Sequence, residues 1–235
     1  MNYAILLSGG TGTRTGADIP KQYVRVNGHM MITYALKCLI ESNNIDKIVI
    51  TADEPWRDEI VSDLEDAGLS AGKICGFAGP GDTRQLSVFN GLKFIYELTG
   101  IVTSEGDDTV LIHDAARPYI TQELISSCYD ALEGADGVMP VLPMKDTVYM
   151  CEEGKGITGL LDRSKVYAGQ APELFKFKLY YEANKCLLPD EILKINGASE
   201  PAVMAGMKIA TIPGVEENVK ITTAGDLEKF IENNR

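Results

Sequence analysis

Short apolar runs alternate along this chain with longer stretches of helical spacing. Tyr3–Leu7 is an uninterrupted apolar run and reads as a buried strand. A helical pattern spans about Met31 to Glu41, and Lys47–Thr51, with Ile48, Val49 and Ile50, reads as a second buried strand. A helix is expected from about Pro55 to Ala67, with proline in its first turn. Lys73–Phe77 is a weaker strand, and Asp82 or Thr83 caps a long helix to about Leu98. Thr109–His113 reads as a strand, Thr121 as the cap of a helix to about Glu133, and Gly137–Leu142 as a further strand. Alternation of this kind predicts an α/β fold, a Rossmann-like, doubly wound and mostly parallel sheet with helices on both faces.

The pattern shortens and turns polar from Pro143 to about Ala168. Two short extended stretches flank Glu153-Gly154-Lys155-Gly156, which predicts a β-arm outside the sheet. A helix is then expected over Leu174–Lys185, a strand over Lys208–Ile212, an extended segment over Asn218–Thr222 and a last helix after Thr223. The whole is read as one domain, 1–235, with the arm at about 141–168.

Charge and cysteine usage narrow the classes of partner. The net charge of −12 and the lack of a basic stretch exclude nucleic acid and an anionic membrane surface. No apolar run reaches the ~18 residues of a membrane span. Five scattered cysteines, two histidines and no Cys-x-x-Cys exclude a zinc site or a disulfide scaffold and suit a reducing, cytoplasmic setting. An acidic chain that handles an anionic ligand must gather its cations in one place or use a divalent metal.

Four motifs do gather cations. Ser8-Gly-Gly-Thr-Gly-Thr-Arg14, with Pro20-Lys21-Gln22 downstream, follows the first strand. Glycines let backbone N–H groups approach phosphate oxygens, and Arg14 and Lys21 offset charge built up in phosphoryl or nucleotidyl transfer. It is not a P-loop, because Ala17 and Asp18 follow Gly16. It is not the dinucleotide fingerprint either, because Thr15 stands where the third glycine belongs. Gly79-Pro-Gly81-Asp82-Thr-Arg84-Gln-Leu-Ser87 opens a helix whose N-terminus favours an anion or polar base edges. His113-Asp114-Ala115-Ala-Arg117-Pro ends a strand, where Asp114 is placed to hold Mg²⁺, Arg117 to orient it, and His113 to support the loop. Asn218-Val-Lys220-Ile-Thr222 sets a lysine between apolar neighbours.

In this order the motifs resemble those of the CTP-dependent cytidylyltransferases of phosphorylated acyclic polyols, which act on 2-C-methyl-D-erythritol 4-phosphate or ribitol 5-phosphate. The resemblance runs from Met1 to about Phe230. It implies a nucleotide-diphospho-sugar transferase-like fold, CTP and a polyol phosphate as substrates, Mg²⁺ and a homodimer clasped through the arm. It implies that Arg14, Lys21 and Lys220 are catalytic, and that Ser8, Gly9, Gly10, Gly12 and Thr13 cradle the triphosphate. Gly81, Asp82, Arg84, Ser87, Asp114 and Ala115 then complete the nucleotide site, Asp114 and Glu217 hold the metal, and Arg117, Arg163 and Thr222 bind the acceptor. Departures concern the acceptor. Asn196 and Gly197 stand where the methylerythritol enzymes have a Thr-Asp pair, and Ala171 replaces the usual Thr before Pro172. Tyr167–Pro172 is closer to the ribitol branch, whereas His113–Pro118 is closer to the methylerythritol branch, so both acceptors stay open. The alternatives are a sugar-1-phosphate nucleotidyltransferase using another nucleoside triphosphate and an inactive nucleotide-binding module.

Overall fold

The computed structural model describes residues 1–10, 17–100 and 108–234. Its first half is a run of strand–helix units: β1 (Asn2–Leu7), a small hairpin β2 (Arg25–Val26) and β3 (His29–Met30), α1 (Met31–Glu41), β4 (Lys47–Thr51), α2 (Glu54–Asp66), β5 (Ile74–Ala78), α3 (Arg84–Thr99), β6 (Thr109–Asp114) and α4 (Gln122–Asp130). The second half holds β7 (Gly137–Pro143), β8 (Tyr149–Glu152), β9 (Gly156–Leu160), β10 (Tyr167–Gly169), β11 (Glu173–Lys176), α5 (Phe177–Lys185), α6 (Ser199–Met204), β12 (Ile209–Pro213) and α7 (Ala224–Asn233).

The sheet runs β10-β7-β11-β6-β1-β4-β5, with β12 paired to β7. Neighbours β1, β4, β5 and β6 are parallel, and so are β7 and β12. From β1 the chain builds outward through β4 and β5, then returns to lay β6 on the other side of β1. That reversal opens a crevice at the carboxyl ends of β1 and β6, where Leu7 lies opposite Asp114.

Strand alternation divides the core into two layers. Ala4, Leu6, Ile48, Ile50 and Leu111 face one cluster with α1, α2 and α4 residues such as Leu36, Ile60 and Ile125. Tyr3, Ile5, Val49, Val110 and Ile112 face the other, with Val88, Leu92 and Tyr180 of α3 and α5. Gly91 lets α3 lie close on β1, since a Cβ there would stand 2.9 Å from Ile5. A third cluster, with Val26, Met31, Ile221, Leu227 and Phe230, seats α7.

Two expectations need correction. The segment expected as one helix over Leu174–Lys185 is a strand followed by a helix. Glu173–Lys176 lies antiparallel between β6 and β7, and the helix starts at Phe177. Leu174 is buried in one layer and Phe175 in the other, which only an extended backbone allows for consecutive residues. The stretch Asn218–Thr222, expected as extended, joins no sheet. The helix expected to reach Glu133 ends at Asp130. The arm is present as β8 and β9, paired only with each other, and its base is closed where the Met144 amide donates to Val166 O at 3.2 Å.

Candidate active site

A cavity of about 660 Å³ occupies the crevice. Of the residues singled out from the sequence, Ser8, Gly9, Gly10, Lys21, Gly81, Asp82, Arg84, Ser87, Asp114, Lys220 and Thr222 line it. Gly12, Thr13 and Arg14 lie outside the described residues.

The β1 side is a braced loop. Ser8 is buried, and its hydroxyl donates to Thr51 O at 3.0 Å and lies 3.1 Å from Tyr23 Oη. Its hydroxyl is thus part of the scaffold. Gly9 packs against the second motif so closely that a Cβ would sit 2.2 Å from Pro80 Cβ. That second motif is closed on itself. The Gly81 amide donates to Ser87 Oγ at 3.0 Å, Ser87 Oγ donates to Thr83 O at 3.0 Å, and Thr83 Oγ1 caps α3 through the Leu86 amide. A side chain at Gly81 would collide with Leu86.

Asp114 ends β6 and forms the floor. Arg84 Nε donates to its Oδ1 at 3.0 Å and Lys220 Nζ to its Oδ2 at 2.9 Å, with Arg117 Nε at 3.9 Å. Burial alone would raise its pKa, but Arg84 and Lys220 hold the carboxyl well below the usual range, so it is ionised. Arg84 also reaches Glu173 Oε1 at 3.7 Å. Glu173 is buried and bonded to Ser199 Oγ, and its pKa is raised by that burial despite the pull of Arg84. His113 is completely buried, which lowers its pKa to about 4. Its Nε2 lies 3.0 Å from Arg117 O, so the neutral ring donates there and stiffens the turn.

Some predicted residues stand elsewhere. Ala115 is buried and its amide is bonded to Leu7 O, and Ala116 lines the cavity in its place. Arg117 stands behind Asp114, with Nη1 donating to Asn218 O at 2.7 Å; it ties the floor to the loop that carries Lys220. Glu217 is exposed and not among the lining residues. Arg163 lies at the base of the arm, beside a second concavity lined by Met144, Lys145 and Tyr167, with Nη1 on Lys145 O at 2.7 Å. Asn196 and Gly197 are exposed and do not line the main cavity. Sequence reasoning passed over Asp53, Gln22 and Glu173. Asp53 follows a buried strand just as Asp114 does, a signal that was available.

Among the described residues no three His, Cys, Asp or Glu side chains cluster as a ready-made metal site. A cation here would draw most of its ligands from phosphate and water, with Asp114 as the protein's anionic anchor. Mg²⁺ is usually held in this way, and the residues present fit it.

An ionised carboxylate ringed by cations, facing a glycine loop at the switch point of a Rossmann-like sheet, marks the protein as a nucleotidyltransferase. A family model described as "IspD: 2-C-methyl-D-erythritol 4-phosphate cytidylyltransferase" matches residues 3–231. The chain belongs to that family. The 2-C-methyl-D-erythritol 4-phosphate cytidylyltransferase of Rubrobacter xylanophilus is 33% identical over 228 residues, covering 95% of this chain and 90% of the relative. The enzyme of the same name from Clostridium beijerinckii is 34% identical over 238 residues, covering 98% of each. The crystal structure of 4-diphosphocytidyl-2C-methyl-D-erythritol synthase from Anaerococcus prevotii superposes with a TM-score of 0.80 at 26% identity, over 99% of this chain and 95% of that one.

Proposed function

We propose that this enzyme transfers CMP from CTP to 2-C-methyl-D-erythritol 4-phosphate and releases pyrophosphate. The observation that carries this reading is the Asp114–Arg84–Lys220 cluster facing the Gly9–Gly10 loop, in a chain that belongs to this family. An oxygen of the acceptor phosphate attacks the α-phosphorus of CTP, and the bond to the bridging oxygen of pyrophosphate breaks. No proton has to be taken from a dianionic phosphate, so the enzyme's work is positioning and charge stabilisation. Lys21 and Lys220 stabilise the charge on the α-phosphate, and loop amides receive the β- and γ-phosphates. The Gly81–Ser87 loop forms the wall on which cytidine is read. Asp114 would hold Mg²⁺, which would supply Lewis-acid stabilisation of the phosphate charge.

The acceptor site is the less complete part within one chain. Arg163 stands on the arm beside its own concavity, and the arm's exposed Ile157, Leu160 and Tyr149 have no partner layer among the described residues. A homodimer that covers the arm and brings Arg163 to an acceptor accounts for both. The match to the family model and to relatives named for 2-C-methyl-D-erythritol 4-phosphate supports the methylerythritol acceptor. The reading also implies a cytoplasmic enzyme, and no described helix is long and apolar enough to cross a membrane. The test is pyrophosphate release with CTP, Mg²⁺ and each acceptor in turn. Turnover is expected with 2-C-methyl-D-erythritol 4-phosphate. Turnover with ribitol 5-phosphate alone would move the acceptor, and turnover with neither would remove the function.

A further inference from the structure

Gln22 has no part in the chemistry above, yet it is tied to the cavity loop by two bonds. Lys21–Tyr23 forms a 3₁₀ turn of which Lys21 and Gln22 both border the cavity while Tyr23 turns away from it. Lys21 lines the cavity. Tyr23 enters the core, where its ring stacks on Trp56 at 4.2 Å between centroids. Gln22, 3% exposed, lies under the glycine loop. Its Nε2 donates to Ser8 O at 2.6 Å and to Gly10 O at 2.7 Å, so both amide hydrogens are spent on loop carbonyls. Tyr23 Oη donates to Ser8 O as well, at 2.9 Å.

These bonds fix the direction of the loop's donors. In a trans peptide the carbonyl and the following N–H point to opposite sides. With Ser8 O drawn inward by Gln22 and Tyr23, the Gly9 N–H is turned outward, and Gly9 and Gly10 line the cavity. Donors aimed in advance need no reorganisation when a charged ligand arrives. We propose that Gln22 is a positioning residue that aims the Gly9 backbone amide at the distal phosphates of the nucleotide. The inference rests on the reading of this loop as the triphosphate cradle. A merely structural Gln22 would satisfy two carbonyls and weaken every ligand alike when removed. A positioning Gln22 acts through the phosphates, so its loss must be felt more as the phosphate chain lengthens.

Gln22→Met keeps the length and removes both donors. Trp56, the sole tryptophan of the chain, sits on Tyr23 and reports whether the turn survives. With Trp56 emission unchanged, CTP should bind the variant about tenfold more weakly, and CMP less than about twofold. Equal weakening of CTP and CMP, or no weakening of CTP, would overturn the role. If the variant does not fold, the unmodified protein decides. The Gly9 amide resonance should shift further with CTP than with CMP, and equal shifts would contradict the proposal. Failure of the functional reading looks different, as an unmodified protein that binds no CTP.

Discussion

The floor of the crevice and the arm are built in opposite ways from one chain. Around Asp114, bonds join residues far apart in sequence: Arg84 from α3, Lys220 from the loop before α7 and Glu173 from β11. The carboxylates Asp114 and Glu173 are buried there, while Arg84 and Lys220 reach the cavity. On the arm, β8 is exposed along its whole length and β9 almost so, and ion pairs such as Lys155–Glu152 and Lys165–Asp162 are local, with Lys145–Glu216 tying only the base to the body. The difference teaches where each part gets its geometry. The floor is determined by the monomer, because the two core layers fix β6, β11 and α3 before any ligand binds. A two-stranded ribbon with no buried face is marginal alone, and in the proposed homodimer the arm gains its definition from the surface it meets.

Three variants can break or sharpen that contrast. The largest effect is expected for Asp114→Ala. Removing Asp114 leaves Arg84 with Glu173 alone and Lys220 to the water of the cavity, which costs about 1–3 kcal/mol of stability. Turnover should fall by on the order of 10³-fold or more, since the proposed metal anchor goes with it. Denaturant unfolding and pyrophosphate release measure the two losses, and a variant of normal stability would show that the floor is not held by this cluster.

A smaller loss is expected on the arm. Ile157→Asp with Leu160→Asp places charges on two exposed apolar positions. Sedimentation should show a monomer, CTP affinity should stay within about twofold, and turnover should drop at least tenfold. Loss of CTP binding would mean that the arm supports the floor, against the separation drawn above.

The last effect concerns pH. His113 has a pKa near 4 in the folded chain against 6.5 when exposed, because burial penalises its charged form. Its folded pKa is depressed, so the unfolded chain binds more protons between these values. The stability it contributes is full above about pH 6.5 and is lost as pH falls toward 4, by about 3 kcal/mol in all. Glu173 acts in the opposite sense, since its raised pKa makes stability fall as pH rises. His113→Gln keeps a donor for Arg117 O and leaves Glu173 in place. Unfolding free energies of the two proteins from pH 7 to pH 4.5 should therefore differ by the histidine slope alone, and parallel curves would place His113 in contact with water.

What the sequence made legible follows from the same contrast. The buried strands and the caps Thr83 and Thr121 are local patterns, and the structure has them within a residue or two. Asp114, Lys21, Lys220 and the two loops were legible because each motif sits at a strand end or carries its own turn. β11 was not, because Leu174-Phe-Lys-Phe-Lys-Leu-Tyr-Tyr181 carries apolar residues at both helical and strand spacing, and only the two core layers decide between them. Glu173 was equally hidden, since a carboxylate before an apolar run looks solvated until Arg84 and Ser199 are brought to it. Gln22 stood inside a quoted motif, but its partners are backbone carbonyls, which leave no trace in side-chain identity. Arg117 was assigned to the acceptor, yet a carbonyl 101 residues away holds it behind the floor.

The central claim is nucleotidyl transfer between two phosphates, and the phosphorus atoms report it directly. Phosphorus NMR of the enzyme with CTP, Mg²⁺ and 2-C-methyl-D-erythritol 4-phosphate should show the acceptor's monoester signal replaced by the coupled pair of a diphosphate diester, with one pyrophosphate formed for each. An unchanged monoester signal, or CDP with orthophosphate in place of pyrophosphate, would contradict the account.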